Sequence, residues 1–121
     1  MYSFDLNKIK FLIDFHGMKS ERDLDICLGT GRLQNLNGDE ELANKFAEIF
    51  KKHGFKNVSI DEPFSAKHPF TVSSDVHDKC NIPTLQIEIN GKYRLPENEE
   101  FNLEGIKDAV CEIIELVKKM K

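Results

Sequence analysis

Residues 9–16 read IKFLIDFH, and the fold turns on how that run is taken. Alternation sends Phe11, Ile13 and Phe15 to one face and Leu12, Asp14 and His16 to the other, the period of an extended strand. The run is apolar enough for a central strand covered on both sides, as in a parallel or mixed sheet. It ends on a carboxylate and an imidazole, then gives way to Gly17 and the charged stretch MKSERDLD (18–25).

Outward from there, LDICLG (24–29) reads as a second short strand, stopped by Gly29 and Gly31. In DEELANKFAEIFKKH (39–53), Leu42, Phe46, Ile49 and Phe50 recur at the spacing of one helical stripe. Acidic residues open that helix, Lys51 and Lys52 close it, and Gly54 stands where a C-terminal cap is expected. KNVSI (56–60) reads as a strand. DEPFSAKHPFTVSSD (61–75), broken by Pro63 and Pro69, reads as a loop, with a short helix within SSDVHDKCN (73–81).

PTLQIEIN (83–90) is the second informative strand, with Leu85, Ile87 and Ile89 on one face and Gln86, Glu88 and Asn90 on the other. A last helix starts at Asn102 as N-cap, with Phe101 and Ile106 spaced as a hydrophobic staple. Ile106, Val110, Ile113 and Val117 form its buried stripe. This order predicts an α/β domain, a mixed, mostly parallel sheet flanked by helices. In open sheets of that kind ligands bind outside the carboxyl ends of the strands, which sets His16 and Glu88 on the edge where chemistry is expected.

A chain of 121 residues has room for one core and not two. Its net charge of -4 argues against a nucleic-acid or anionic-membrane partner, and no basic cluster offsets it. The apolar runs are shorter than a membrane span, and MYSFDLNKIK (1–10) lacks a signal peptide's pattern. Cys27, Cys80 and Cys111 are odd in number and widely spaced. They read as thiols of a cytoplasmic protein, two of them in core strands or helices.

His16 can ligate a metal, act as a base, or hydrogen-bond within a core; Asp14 on the same face would fix its tautomer and raise its basicity. Glu88 stands in an otherwise apolar strand. If buried, it has a raised pKa suited to a general base near neutral pH; if its face is solvated, it is an ordinary surface carboxylate. Arg22 can hold a substrate carboxylate bidentately or belong to a solvated loop. His77 and Cys80 have an H-x-x-C spacing that, as a single pair, reads as a helix-surface coincidence. His53 looks like decoration of a helix end, and His68 lies in a proline-rich loop that can line a pocket.

Taken together, IDFHGMKSERDLDICLGT (13–30), the amphipathic helix, DEPF (61–64), PTLQIEIN (83–90) and YRLPE (93–97) resemble the N-formylglutamate amidohydrolase family. There, a D-h-H-G strand end (h being apolar) precedes an R-x-x-D-like stretch, a short IGT, an N-x-P-F-like segment and a Q-x-E-I strand, in this order. The resemblance implies a phosphorylase/hydrolase-like, zinc carboxypeptidase-like fold and a zinc-dependent amide hydrolase. Its substrate would be a small N-acyl amino acid or a short acidic peptide. His16 would ligate the zinc with Asp14 steering its ring, Glu88 would activate water and protonate the leaving amine, and Arg22 would hold the substrate carboxylate.

The family's early H-x-x-E ligands have no counterpart, since the four histidines read HGMK, HGFK, HPFT and HDKC. Ser65 and Ala66 stand where the family carries a glycine pair. The chain is therefore expected to correspond to the C-terminal half of a longer hydrolase and to be inactive alone. An N-terminal half, local substitutes such as Asp14 or His68, or a partner chain, including a second copy, would complete the site. The alternative is a non-catalytic small-ligand-binding or interaction module on the same fold.

Overall fold

A computed structural model describes residues 9–67 and 71–120. Four strands form one sheet: β1 (Leu12–Met18), β2 (Ile26–Gly29), β3 (Val58–Ile60) and β4 (Thr84–Asn90), in the order β1-β4-β2-β3. β1 runs parallel to β4 and β2 parallel to β3, while β2 and β4 are antiparallel, so the sheet is mixed and mostly parallel. β4 holds the centre and is buried at all seven positions. The expectation that IKFLIDFH would be the central strand is corrected: β1 is an edge, with Phe15 51% exposed. Apolarity on both faces of a short run does not separate a central strand from an edge whose one apolar face is covered.

Strand direction corrects a second expectation. β1 and β4 point one way and β2 and β3 the other, so the sheet has no common carboxyl edge. His16 and Glu88 lie two residues before the ends of their strands and are partners across the β1–β4 ladder, so they meet on a face of the sheet.

The apolar face is covered by α1 (Glu40–Lys52) and α4 (Leu103–Lys118). Asp39 Oδ1 accepts from the Leu42 N–H at 3.0 Å and Asn102 Oδ1 from the Gly105 N–H at 2.9 Å, so both helices start on side-chain caps. Phe46, Phe50 and Phe55 are fully buried with Ile26, Leu28, Leu85, Ile87 and Ile113. Each such side chain contributes about 1.5–3 kcal/mol by leaving water. His53 is more than decoration: its Nε2 lies 3.0 Å from Glu112 Oε1, and Lys52 pairs with the same carboxylate, tying α1 to α4.

The opposite face carries α2 (Val72–Cys80) and the loop 61–67. α2 starts one residue before SSDVHDKCN because Thr71 and Ser74 form a capping box. It seats on β4, where Thr84 Oγ1 donates to Ser73 O at 2.8 Å. A short helix α3 (Gly91–Arg94) follows β4 directly, its first turn capped by Asn90 Oδ1 accepting from the Lys92 N–H at 2.8 Å. Of the cysteines expected in the core, only Cys27 is buried; Cys80 is half-buried and Cys111 exposed, and all three are free. Among the described residues no helix is long and apolar enough to cross a membrane.

Candidate functional site

The β1–β4 register sets Asp14 beside Gln86 and His16 beside Glu88, and the β2–β4 register sets Cys27 on the far side of Glu88. Strand alternation turns all of these side chains to the face opposite the main core. Glu88 is 5% exposed. Gln86 Nε2 donates to Glu88 Oε2 at 2.9 Å, and His16 Nδ1 lies 3.7 Å from that same oxygen. The other ring nitrogen, Nε2, is 2.8 Å from Asp14 Oδ2. Since a carboxylate can only accept, Nε2 donates to Asp14, and Nδ1 is the ring nitrogen that faces Glu88. The His16 side chain is 43% exposed, so the cluster opens to solvent on the β1 side.

Burial pushes the Glu88 carboxyl above its ordinary value; the His16 and Arg22 charges pull it back in part, while Asp14 pushes it further up. The buried reading of Glu88 is therefore the one the fold selects. Cys27 is held away from chemistry. Its thiol contacts the carbonyl oxygens of Glu62 and Phe64, each at 3.4 Å, and burial keeps its pKa raised.

The loop 61–67 lines this face because the turn after β2 grips it. The Thr30 N–H and hydroxyl donate to the two carboxylate oxygens of Asp61, both at 2.6 Å, and Asn35 Nδ2 donates to Ala66 O at 2.9 Å. Gly29 makes the approach possible: a Cβ there would lie 2.8 Å from the Ala66 Cβ. Phe64 is thereby set under Arg22, whose guanidinium stands 4.8 Å from the ring centroid. Asn90, fully buried, holds the Arg22 loop by donating from Nδ2 to the carbonyls of Arg22 and Leu24 at 3.0 and 2.9 Å. Arg94 joins the ends of β1 and β4 by donating to Ile89 O at 2.9 Å and Met18 O at 3.3 Å.

Thus Asp14, His16 and Glu88 meet, with Arg22 close enough to act on the Glu88 carboxyl. Gln86 and Asn90 carry positioning roles that the sequence reading did not assign, although every second residue of LQIEIN being polar was the available signal. The His77 ring engages Asn37, with Nε2 2.7 Å from Oδ1. His68 lies outside the described residues.

The zinc implied by the resemblance finds no matching donor set among the described residues. Asp14 and Glu88 flank opposite nitrogens of one ring, so the three groups do not converge on one point. Among the described residues no group of three His, Cys, Asp or Glu side chains is placed to hold a metal ion, whereas a catalytic zinc takes three protein ligands.

Comparison with family models, with curated proteins and with solved structures finds no match for this chain.

Proposed function

We propose that the Asp14–His16–Glu88 face is the acid–base part of an amide hydrolase acting on small N-acyl amino acids, of the N-formylglutamate amidohydrolase kind. The observation that carries this reading is a buried glutamate with a raised pKa beside an imidazole open to solvent. A carboxyl of that kind takes a proton from an attacking water and returns it to the amide nitrogen as the C–N bond breaks. His16, with Nε2 committed to Asp14, offers Nδ1 as the next station for that proton. Arg22, braced on Phe64, pairs with the carboxylate of the substrate. These roles use this chain's own groups. A zinc centre needs donors besides those described, so the chain on its own binds substrate without turning it over.

The second reading, a non-catalytic binding module, draws support from the same shortage of metal donors. The test is zinc content and amine release from N-acetylglutamate or N-formylglutamate, with substrate binding followed by NMR. Binding lost in Arg22→Ala, with the Glu88 carboxyl resonance shifting on titration, supports the hydrolase site. Binding indifferent to Arg22→Ala and to Glu88→Gln supports the module. No binding at all overturns both.

A further inference from the structure

The outer side of β1 is unpaired by any strand among the described residues. The Leu12 N–H donates to Pro83 O at 3.1 Å, so the even-numbered residues of β1 turn their backbone groups toward β4. By alternation, Ile13, Phe15 and Gly17 turn theirs outward. Beside this edge runs an apolar strip: a groove of about 330 Å³ lined by Lys10, Phe11, Ile13, Ile114, Val117 and Lys118, with Phe15 51% and Ile114 40% exposed. A seven-residue edge with apolar flanks is a template for another strand.

We infer that a second copy of this chain fills it, β1 pairing antiparallel with β1 about a two-fold axis at Phe15. Two independent features select that register. Phe15 is the midpoint of Leu12–Met18, so this register alone among the symmetric ones overlaps the whole strand. It also sets Asp14 opposite His16 of the second copy, and His16 opposite Asp14 of the second copy. An axis at Asp14 would instead oppose two aspartates, and an axis at His16 two histidines. The outward backbone groups agree. Phe15 faces its own copy, Ile13 faces Gly17 of the second copy and Gly17 faces Ile13, in hydrogen-bonded pairs giving roughly six interchain bonds. The Asp14–His16 pairs fall between them at the closer, non-hydrogen-bonded positions, where side chains interact most strongly. The two Phe15 rings meet on the apolar face, and the sheet becomes continuous through both chains.

The pairing would set two Asp14–His16–Glu88 clusters side by side on one face, but it does not rest on the hydrolase reading, and its readout contains no activity. Sedimentation velocity of the purified chain from micromolar to submillimolar concentration should show a monomer–dimer equilibrium. Phe15→Pro should abolish the dimer without losing an intrachain ladder bond, because the Phe15 N–H points outward. Asp14→Lys and His16→Asp should each weaken it by about tenfold. Mixing those two variants should restore it, since the introduced lysine then faces the introduced aspartate while native Asp14 faces native His16. A monomer throughout overturns the proposal and leaves the edge to a strand from a different chain. A dimer indifferent to Phe15→Pro, or charge variants that mixing does not restore, overturns it equally.

Discussion

Glu88 sits where a carboxylate loses most of its water and keeps one neutral donor, Gln86 Nε2, and one imidazole nearby. Its raised pKa has a consequence for stability. An unfolded glutamate ionises near 4.5, whereas folded Glu88 holds its proton to higher pH, mainly because of burial. The proton-bound form therefore favours the folded state. That contribution is present in full below the unfolded pKa and is lost as pH rises through the folded one. Glu88→Gln keeps the shape and removes the charge. It should melt close to wild type near pH 4 and above wild type at pH 7. Thermal denaturation across that range checks it; a variant less stable than wild type at pH 7 would show that the carboxylate is stabilised by its neighbours rather than penalised.

At the scale of elements, β2 and the loop 61–67 depend on each other. The loop can lie against the strand only because Gly29 has no side chain, with the Ala66 Cβ and backbone N both within 3.3 Å of where a Cβ would stand. Neither neighbour is the free end of a flexible side chain, so the loop must move as a body. Gly29→Ala should cost about 1–3 kcal/mol in urea denaturation through overpacking. It should also loosen Phe64 from beneath Arg22, which the Arg22 side-chain resonances would report. The helices depend less on such meetings. α1 and α4 each have a side-chain cap at the N-terminus and one apolar stripe facing the sheet, and both features stand in the local sequence.

For the whole molecule, protection from solvent is graded across the sheet. β4 is paired on both sides and buried at every position, while β1 is paired on one side only. Hydrogen exchange should be slowest for the amides of 84–90. Within β1 of a dilute sample, the outward amides of Ile13, Phe15 and Gly17 should exchange roughly tenfold or more faster than those of Asp14 and His16. Uniform protection along β1 at low concentration would mean that another segment already covers the edge.

The linear sequence revealed the amphipathic helices, the Asn102 cap, the alternation of the two informative strands and the α/β class, because each rests on contacts a few residues apart. It also showed Asp14 and His16 on one face, and Gln86, Glu88 and Asn90 on another. Packing between distant segments settles that these two faces are the same one, that β4 rather than β1 is central, and that Glu88 is buried. It likewise settles that Thr30 and Asp61 draw the loop under Arg22 and that α3 follows β4 without a break. The reason is physical: burial and strand order depend on which distant segment supplies the second layer, and a strand of period two fits a central or an edge place equally well until its neighbours are in position.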